Sequence, residues 1–151
     1  MNIVIKNATI VDSSSEFNQK KVDIKIENGV IAEIASEINA TAFEILSLEN
    51  VHVSSGWMDS SVSFGEPGFE DRETIANGLN VAAKSGFTHI AYQPNTSPVI
   101  DNQSIVSFVK TKAANLATTL HPIGAFTKSE EGADLAEMYD MQNAGAIAFG
   151  D

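Results

Sequence analysis

Two serines one residue apart, Ser61 and Ser63, end a strand-like run from Trp57 to Phe64 that stops at the turn Gly65-Glu66-Pro67-Gly68. Side chains alternate along a strand, so Trp57, Asp59, Ser61, Ser63 and Gly65 are expected on one face. Met58, Val62 and Phe64, with Ser60 among them, take the other. A metal hydrolase needs neutral imidazoles or ionised carboxylates around a dication, with one position open for water. A serine hydroxyl is neither. A serine nucleophile needs a base beside it and an elbow of the G-x-S-x-G kind, and neither surrounds this pair. Ser61 and Ser63 therefore read as polar residues with a structural use.

The other candidates are scattered. Asn95, after Pro94, suits a turn. His52, His89 and His121 each lack a second His, Asp or Glu at H-x-H spacing on a shared face, so each reads as a structural or surface histidine. Asp59 is placed to hydrogen-bond neighbouring main chain. Arg72-Glu73 suits a solvated first helical turn, and Glu130-Glu131 suits a helix N-terminus, where acids favour the dipole. Asp151 follows the last apolar run and, as the final residue of the chain, is readily solvated.

Positioning these groups requires strands and helices in alternation. Strands are predicted at 57–64, 87–93, 118–126 and 146–150, a spacing of about thirty residues, the size of one βα unit. Ile75, Leu79, Ala82 and Ala83 form a helical stripe closed by Gly86. Ile105, Phe108, Val109 and Ala113 form a second, with Asp101 placed to cap it, and a third helix is predicted from about Glu131 to Asn143. Before them lie short strands at 3–5, 9–11, 22–27, 30–34 and 43–48, with Asn28-Gly29 as a hairpin turn. The organisation expected is a small β-segment over 1–53 and, over 54–151, four strands and three helices, half of a closed βα-barrel. An open parallel half exposes the edge of its last strand. The folded unit is therefore expected to continue, either within a longer polypeptide or through another chain. A self-sufficient flavodoxin-like sheet is the alternative, but no Gly-rich phosphate loop follows its first strand.

Composition narrows the class. With 43% hydrophobic residues the chain is globular, and no run approaches the roughly 18 apolar residues of a membrane span. The first residues lack the shape of a signal peptide, so a cytoplasmic protein is expected. There is no cysteine, which excludes disulfides, thiolate metal sites and a cysteine nucleophile. Nine basic against twenty acidic residues oppose binding to nucleic acid or an anionic membrane.

The stretch Ser55-Gly56-Trp57-Met58-Asp59-x-Ser61-Val62-Ser63-Phe64-Gly65-Glu66-Pro67-Gly68-Phe69-Glu70 resembles the first barrel strand of dihydroorotases, zinc cyclic amidohydrolases of pyrimidine synthesis, which usually reads P-G-[LIFM]-[IV]-D-x-H-V-H-L-R-E-P-G. The likeness continues through Glu73-Thr74-Ile75, Gly86-Phe87-Thr88 and Pro94-Asn95-Thr96-x-Pro98-Val99-Ile100-Asp101-Asn102 to Gly145-Ala146-Ile147-Ala148-Phe149-Gly150-Asp151. It implies an α/β fold, the first half of a TIM-type (β/α)8 barrel preceded by a small β-sandwich segment. The departures fall on functional positions: Ser61 and Ser63 replace the metal histidines, and Gly65 replaces the arginine that grips the substrate carboxylate. Asn95 matches the substrate-carboxylate amide, and Asp151 the aspartate that ligates the metals in one branch of the family. Active members carry zinc, whereas for this chain no cofactor is expected. The resemblance thus implies an inactive member with a structural role, its partner aspartate transcarbamoylase or another copy of itself. The alternative is an active dihydroorotase drawing its ligands from beyond residue 151.

Overall fold

The computed structural model describes residues 2–151, and the chain divides into two compact units, Met1–Ser55 and Gly56–Asp151. The first is a five-stranded sheet of β1 (Ile3–Val11), β2 (Lys21–Glu27), β3 (Val30–Ala35), β4 (Glu44–Leu46) and β5 (His52–Ser54). Where two strands are expected at 3–5 and 9–11, one strand runs through. Its register against β2 shifts between Ile5 and Ala8, and Asn7 takes a φ of 53°. The β2–β3 hairpin turns at Asn28 and Gly29 with φ of 51° and 81°, the positive pair that a type I′ turn requires. His52 lies in β5, which pairs parallel to β1.

The shift in β1 is held by a buried carboxylate. Asp23, 3% exposed, accepts from the main-chain N–H of Asn7 and Ile38, both at 2.9 Å, and from the Lys6 ammonium. Burial pushes the Asp23 carboxyl up, but the Lys6 hydrogen bond and the two N–H groups outweigh it and hold the group below the ordinary aspartate range.

The second unit contains β6 (Trp57–Val62), α1 (Ile75–Lys84), β7 (Phe87–Tyr92), α2 (Gln103–Lys112), β8 (Thr119–Gly124), α3 (Met138–Ala144) and β9 (Ala148–Phe149). The strands are parallel in the order β6-β7-β8-β9, the sequential half-barrel that the strand–helix alternation predicts. Its core lies between sheet and helices, where Ile90, Tyr92 and Leu120 meet Ile75, Leu79, Val106, Val109 and Met141. Small residues permit the close approach. A Cβ on Gly78 of α1 would stand 2.4 Å from the Phe64 ring.

Two helix boundaries differ from expectation. Asn102 rather than Asp101 caps α2, its Oδ1 accepting from the N–H of Ser104 and Ile105 at 3.0 and 3.3 Å. Asp101 instead accepts from the N–H of Ser129. The third helix begins at Met138, not near Glu131, because Ser129, Glu130 and Gly132 all have positive φ and Thr127 bridges to Leu135. Glu130 and Glu131 therefore sit in a turn and not at a helix start.

The buried hub of this unit is the Tyr92 hydroxyl. It donates to the Glu66 carbonyl at 2.7 Å and accepts from the Gly65 N–H at 3.1 Å. The Glu66 carboxylate in turn accepts from the Ile75 N–H at 2.8 Å and pairs with Lys112 at 3.0 Å. Burial raises the Tyr92 phenol above its usual value, so it stays a donor throughout the ordinary pH range.

Two expectations follow. Tyr92→Phe removes the partner of two buried main-chain groups and lowers unfolding stability by about 1–3 kcal/mol, read from urea denaturation midpoints. Asp23→Asn costs about 1.5–3 kcal/mol at neutral pH. The lowered pKa of Asp23 confers stability that is present above its unfolded value of about 3.9 and lost as pH falls through the lower native one. The gap between wild type and Asp23→Asn should therefore narrow as denaturation is repeated at pH values below about 4.

Candidate functional site

The site positions lie at the end of β6, and a bulge decides where they point. Asp59 registers with Ile90 and Val62 with Tyr92, so Ser60 and Ser61 together stand opposite the single residue Ala91. The extra residue breaks the expected alternation. Asp59, predicted to share a face with the serines, instead lines a cavity of about 200 Å³ with Val62, Phe64, Gly78, Val81 and Ala82, on the side of α1. Its Oδ1 accepts from the Ser61 N–H at 3.0 Å, the main-chain contact expected of it, and so braces the bulge.

Ser61 and Ser63 point toward the residues that follow β7. The Ser61 hydroxyl accepts from Gln93 Nε2 at 3.2 Å, and the Ser63 hydroxyl donates to Asn95 Oδ1 at 2.8 Å. Asn95 is exposed, in a loop closed by the Thr96 N–H to the Pro94 carbonyl at 2.7 Å and by the Thr96 hydroxyl to the Pro98 carbonyl. The Asn95 side chain projects beside the end of β6, where it meets Ser63. Gln93 was missed in the sequence; it stands two residues before Asn95, the same interval that separates Ser61 from Ser63.

Gly65 is more than a missing side chain. Its φ is +128°, and a Cβ there would lie 2.5 Å from the Phe69 carbonyl oxygen. The main chain occupies a conformation that favours glycine. Gly68 is equally committed, with φ +97° and the Ser97 carbonyl 2.0 Å from any added Cβ. The loops after β6 and β7 thus touch through bare backbone, joined by the Ser97 N–H to the Pro67 carbonyl at 2.8 Å.

Asp151 is exposed, but its carboxylate is engaged. Oδ1 accepts from the N–H of Phe126 and Thr127 at 2.8 and 2.9 Å, and Oδ2 accepts from the Thr127 hydroxyl. The Thr127 bonds come first among the causes that hold its carboxyl below the ordinary range. It clasps the loop after β8. Glu130, in the same loop, is pushed up by burial and by the charge of Asp151.

These groups can be set against the zinc that the resemblance implies. Zinc takes imidazole nitrogen, thiolate or carboxylate oxygen. Ser61 and Ser63 offer neutral hydroxyls already paired with side-chain amides, and Asp151 offers a carboxylate already engaged by three donors. The donor set does not fit the metal. Among the described residues no group of three or more His, Cys, Asp or Glu is arranged to hold one.

Two histidines that the sequence left apart do meet. His89 Nδ1 lies 3.0 Å from His121 Nε2, with the rings stacked at 5.2 Å and 27°. The signal was their separation of 32 residues, one βα repeat, which places them on adjacent strands. His52 is elsewhere, its Nδ1 2.8 Å from the Asn50 carbonyl. Arg72 stacks on Phe69 at 4.4 Å and Glu73 accepts from Asn77, but both precede the Thr74 cap of α1 instead of lying in its first turn.

Comparison with known proteins places this geometry. Over 151 residues the chain is 43% identical to the dihydroorotase of Pelotomaculum thermopropionicum, and over 152 residues 37% identical to that of Caldanaerobacter subterraneus subsp. tengcongensis. In both cases the match takes in 100% of this chain and 35% of the relative, so the chain spans about a third of the length of the curated relatives it matches. L-hydantoinase (dihydropyrimidinase) from Arthrobacter aurescens superposes with a TM-score of 0.74 at 22% identity, over 98% of this chain and 32% of that one. A dihydroorotase crystal structure gives 0.63 at 12% identity, over 98% and 41%. These likenesses carry the fold, part of a TIM-type barrel. Residues 51–151 match the dihydro-orotase-like family model, and the chain belongs to that family.

Proposed function

We propose that this chain is the first part of a dihydroorotase-family protein that has given up hydrolysis of the cyclic amide and acts as a structural partner in pyrimidine synthesis. The observation that carries the reading is the end of β6, where three positions have been rebuilt for other uses. Ser61 and Ser63 are bonded to Gln93 and Asn95, and Gly65 has a backbone that leaves no room for a Cβ. Hydrolysis of an amide requires an activated water and a group that protonates the leaving nitrogen, and amide-paired hydroxyls supply neither. The framework beneath these positions is intact, since Tyr92, Glu66 and Lys112 still bind the strand end to both helices.

The proposed partner is aspartate transcarbamoylase, with a second copy of this chain as the competing outcome. Its test is gel filtration of the two proteins mixed and apart. Co-elution as one complex is expected; an unchanged profile for each, or self-association alone, removes aspartate transcarbamoylase from the proposal.

Activity provides the second test. Hydrolysis of dihydroorotate, followed by ultraviolet absorbance with zinc added, should not exceed a zinc-only control for the wild-type chain. It should stay at that level for Ser61→His, Ser63→His and Gly65→Arg combined. Arginine at a φ of +128° is strained by about 1–3 kcal/mol, so the loop must rearrange before a guanidinium can point at substrate. Turnover by the wild-type chain would establish the active reading instead, and turnover by the triple variant would show that the rebuilt positions were the only obstacle.

A further inference from the structure

The sequence carries the dipeptide Asn-Gly twice, at Asn28-Gly29 and at Asn77-Gly78, and the fold sets the two in opposite surroundings. An asparagine carboxamide is lost when the main-chain nitrogen of the next residue attacks its carbon, and glycine, with no Cβ beside that nitrogen, hinders the attack least. Asn28 and Gly29 form the exposed tip of the β2–β3 hairpin. Beyond its chain neighbours, no heavy atom lies within 4 Å of the point where a Gly29 Cβ would stand, so a ring closes there without displacing anything. Asn77-Gly78 lies within α1 instead. There the Gly78 N–H donates to the Thr74 carbonyl at 3.0 Å, and the Asn77 carboxamide donates to Glu73 at 3.0 and 3.2 Å. Gly78 itself is buried against Phe64. A helical N–H directed at the residue four back faces away from the carbon it would have to attack, so α1 must open before Asn77 can react.

We propose that Asn28 is a site of spontaneous deamidation in the native protein and that α1 protects Asn77 from the same reaction. Hydroxide or a buffer base removes the Gly29 N–H proton. The nitrogen then bonds to Asn28 Cγ, the Cγ–Nδ2 bond breaks, and Nδ2 takes up a proton and leaves as ammonia. Water opens the resulting succinimide at either of its two carbonyls. One opening gives aspartate, and the other gives isoaspartate, whose main chain runs through the former side chain and is longer by one methylene. No oxidant or reductant takes part. Either product adds a negative charge to a chain whose net charge is already −11. Isoaspartate does more, because β3 is an edge strand paired with β2 alone and takes its register from the two-residue turn between Glu27 and Val30. An extra main-chain atom does not fit a type I′ turn without disturbing that register, so the change loosens the outer strand of the first sheet.

The test holds the full chain in mildly alkaline buffer, once native and once in urea, and digests samples with pepsin in acid, where the reaction is slow. Mass spectrometry of the peptides bearing Asn28 and Asn77 then follows conversion of carboxamide to carboxylate. In urea the two should convert at comparable rates. In the native chain Asn28 should convert at least about tenfold faster than Asn77, the ratio that an opening cost of about 1.4 kcal/mol for α1 produces. As isoaspartate accumulates, amide hydrogen exchange should quicken along β3 and stay unchanged along α1. Equal native rates at the two asparagines, or an Asn28 that keeps its carboxamide in the native chain while the chain in urea converts, would overturn the proposal.

Discussion

The second unit depends on one phenol hydroxyl. Where β6 ends, its main chain must leave the sheet and turn toward α1, and a turn made in the interior leaves polar groups that water cannot reach. Tyr92 meets that need from the neighbouring strand, donating to the Glu66 carbonyl and accepting from the Gly65 N–H. Because the same Glu66 carries its carboxylate to the first N–H of α1 and to Lys112 of α2, one residue pair joins two strands and two helices. Phe64, its ring tilted against that of Tyr92 at 5.4 Å and seated on Gly78, supplies the apolar half of the joint. The joint is a matter of folding, and it is indifferent to whether the adjoining face does chemistry.

That separation shows which contacts hold the fold and which engage Ser61 and Ser63. The Glu66-Pro67-Gly68 turn is fixed by contacts on the core side, including the Ser97 carbonyl against Gly68. Ser61 and Ser63 answer to a different set of neighbours, Gln93 and Asn95, and could change without disturbing Tyr92. Gly65 belongs to both sets, since its N–H is bound by Tyr92 while its Cα position would carry the arginine.

Much of the fold was legible because it rests on periodicity. The apolar stripe of Ile75 and Leu79, the Asn28-Gly29 turn and the thirty-residue rhythm of strands each reflect a local rule that the structure keeps. What escaped depends on pairing between distant segments. The bulge at Ser60 and Ser61 leaves no mark in composition, and it moved Asp59 to the helix side against a correct rule of alternation. Asp101 and Asn102 are both good caps, and only the position of Ser129 decides which of them serves α2. Strand β5 is too short to show a pattern of its own, and the helix expected from Glu131 yields to a turn with three positive φ values. At the site, the replacements at 61, 63 and 65 could be read directly, whereas the amides that now hold the serines could not.

On the proposed reading, the hydrogen bonds of Ser61 with Gln93 and of Ser63 with Asn95 make the change at β6 hard to reverse. Among the described residues no buried side-chain nitrogen or oxygen lacks a partner. A single histidine at either position would break an existing bond before a second ligand was present to reward it with a metal, and an arginine at 65 would strain the backbone before there was a substrate to grip. Each step back toward a hydrolytic site thus descends in stability with no gain in activity until several are taken together. On that reading the geometry acts as a ratchet: small local satisfactions, none of them strong, close the path by which hydrolytic chemistry could return one residue at a time.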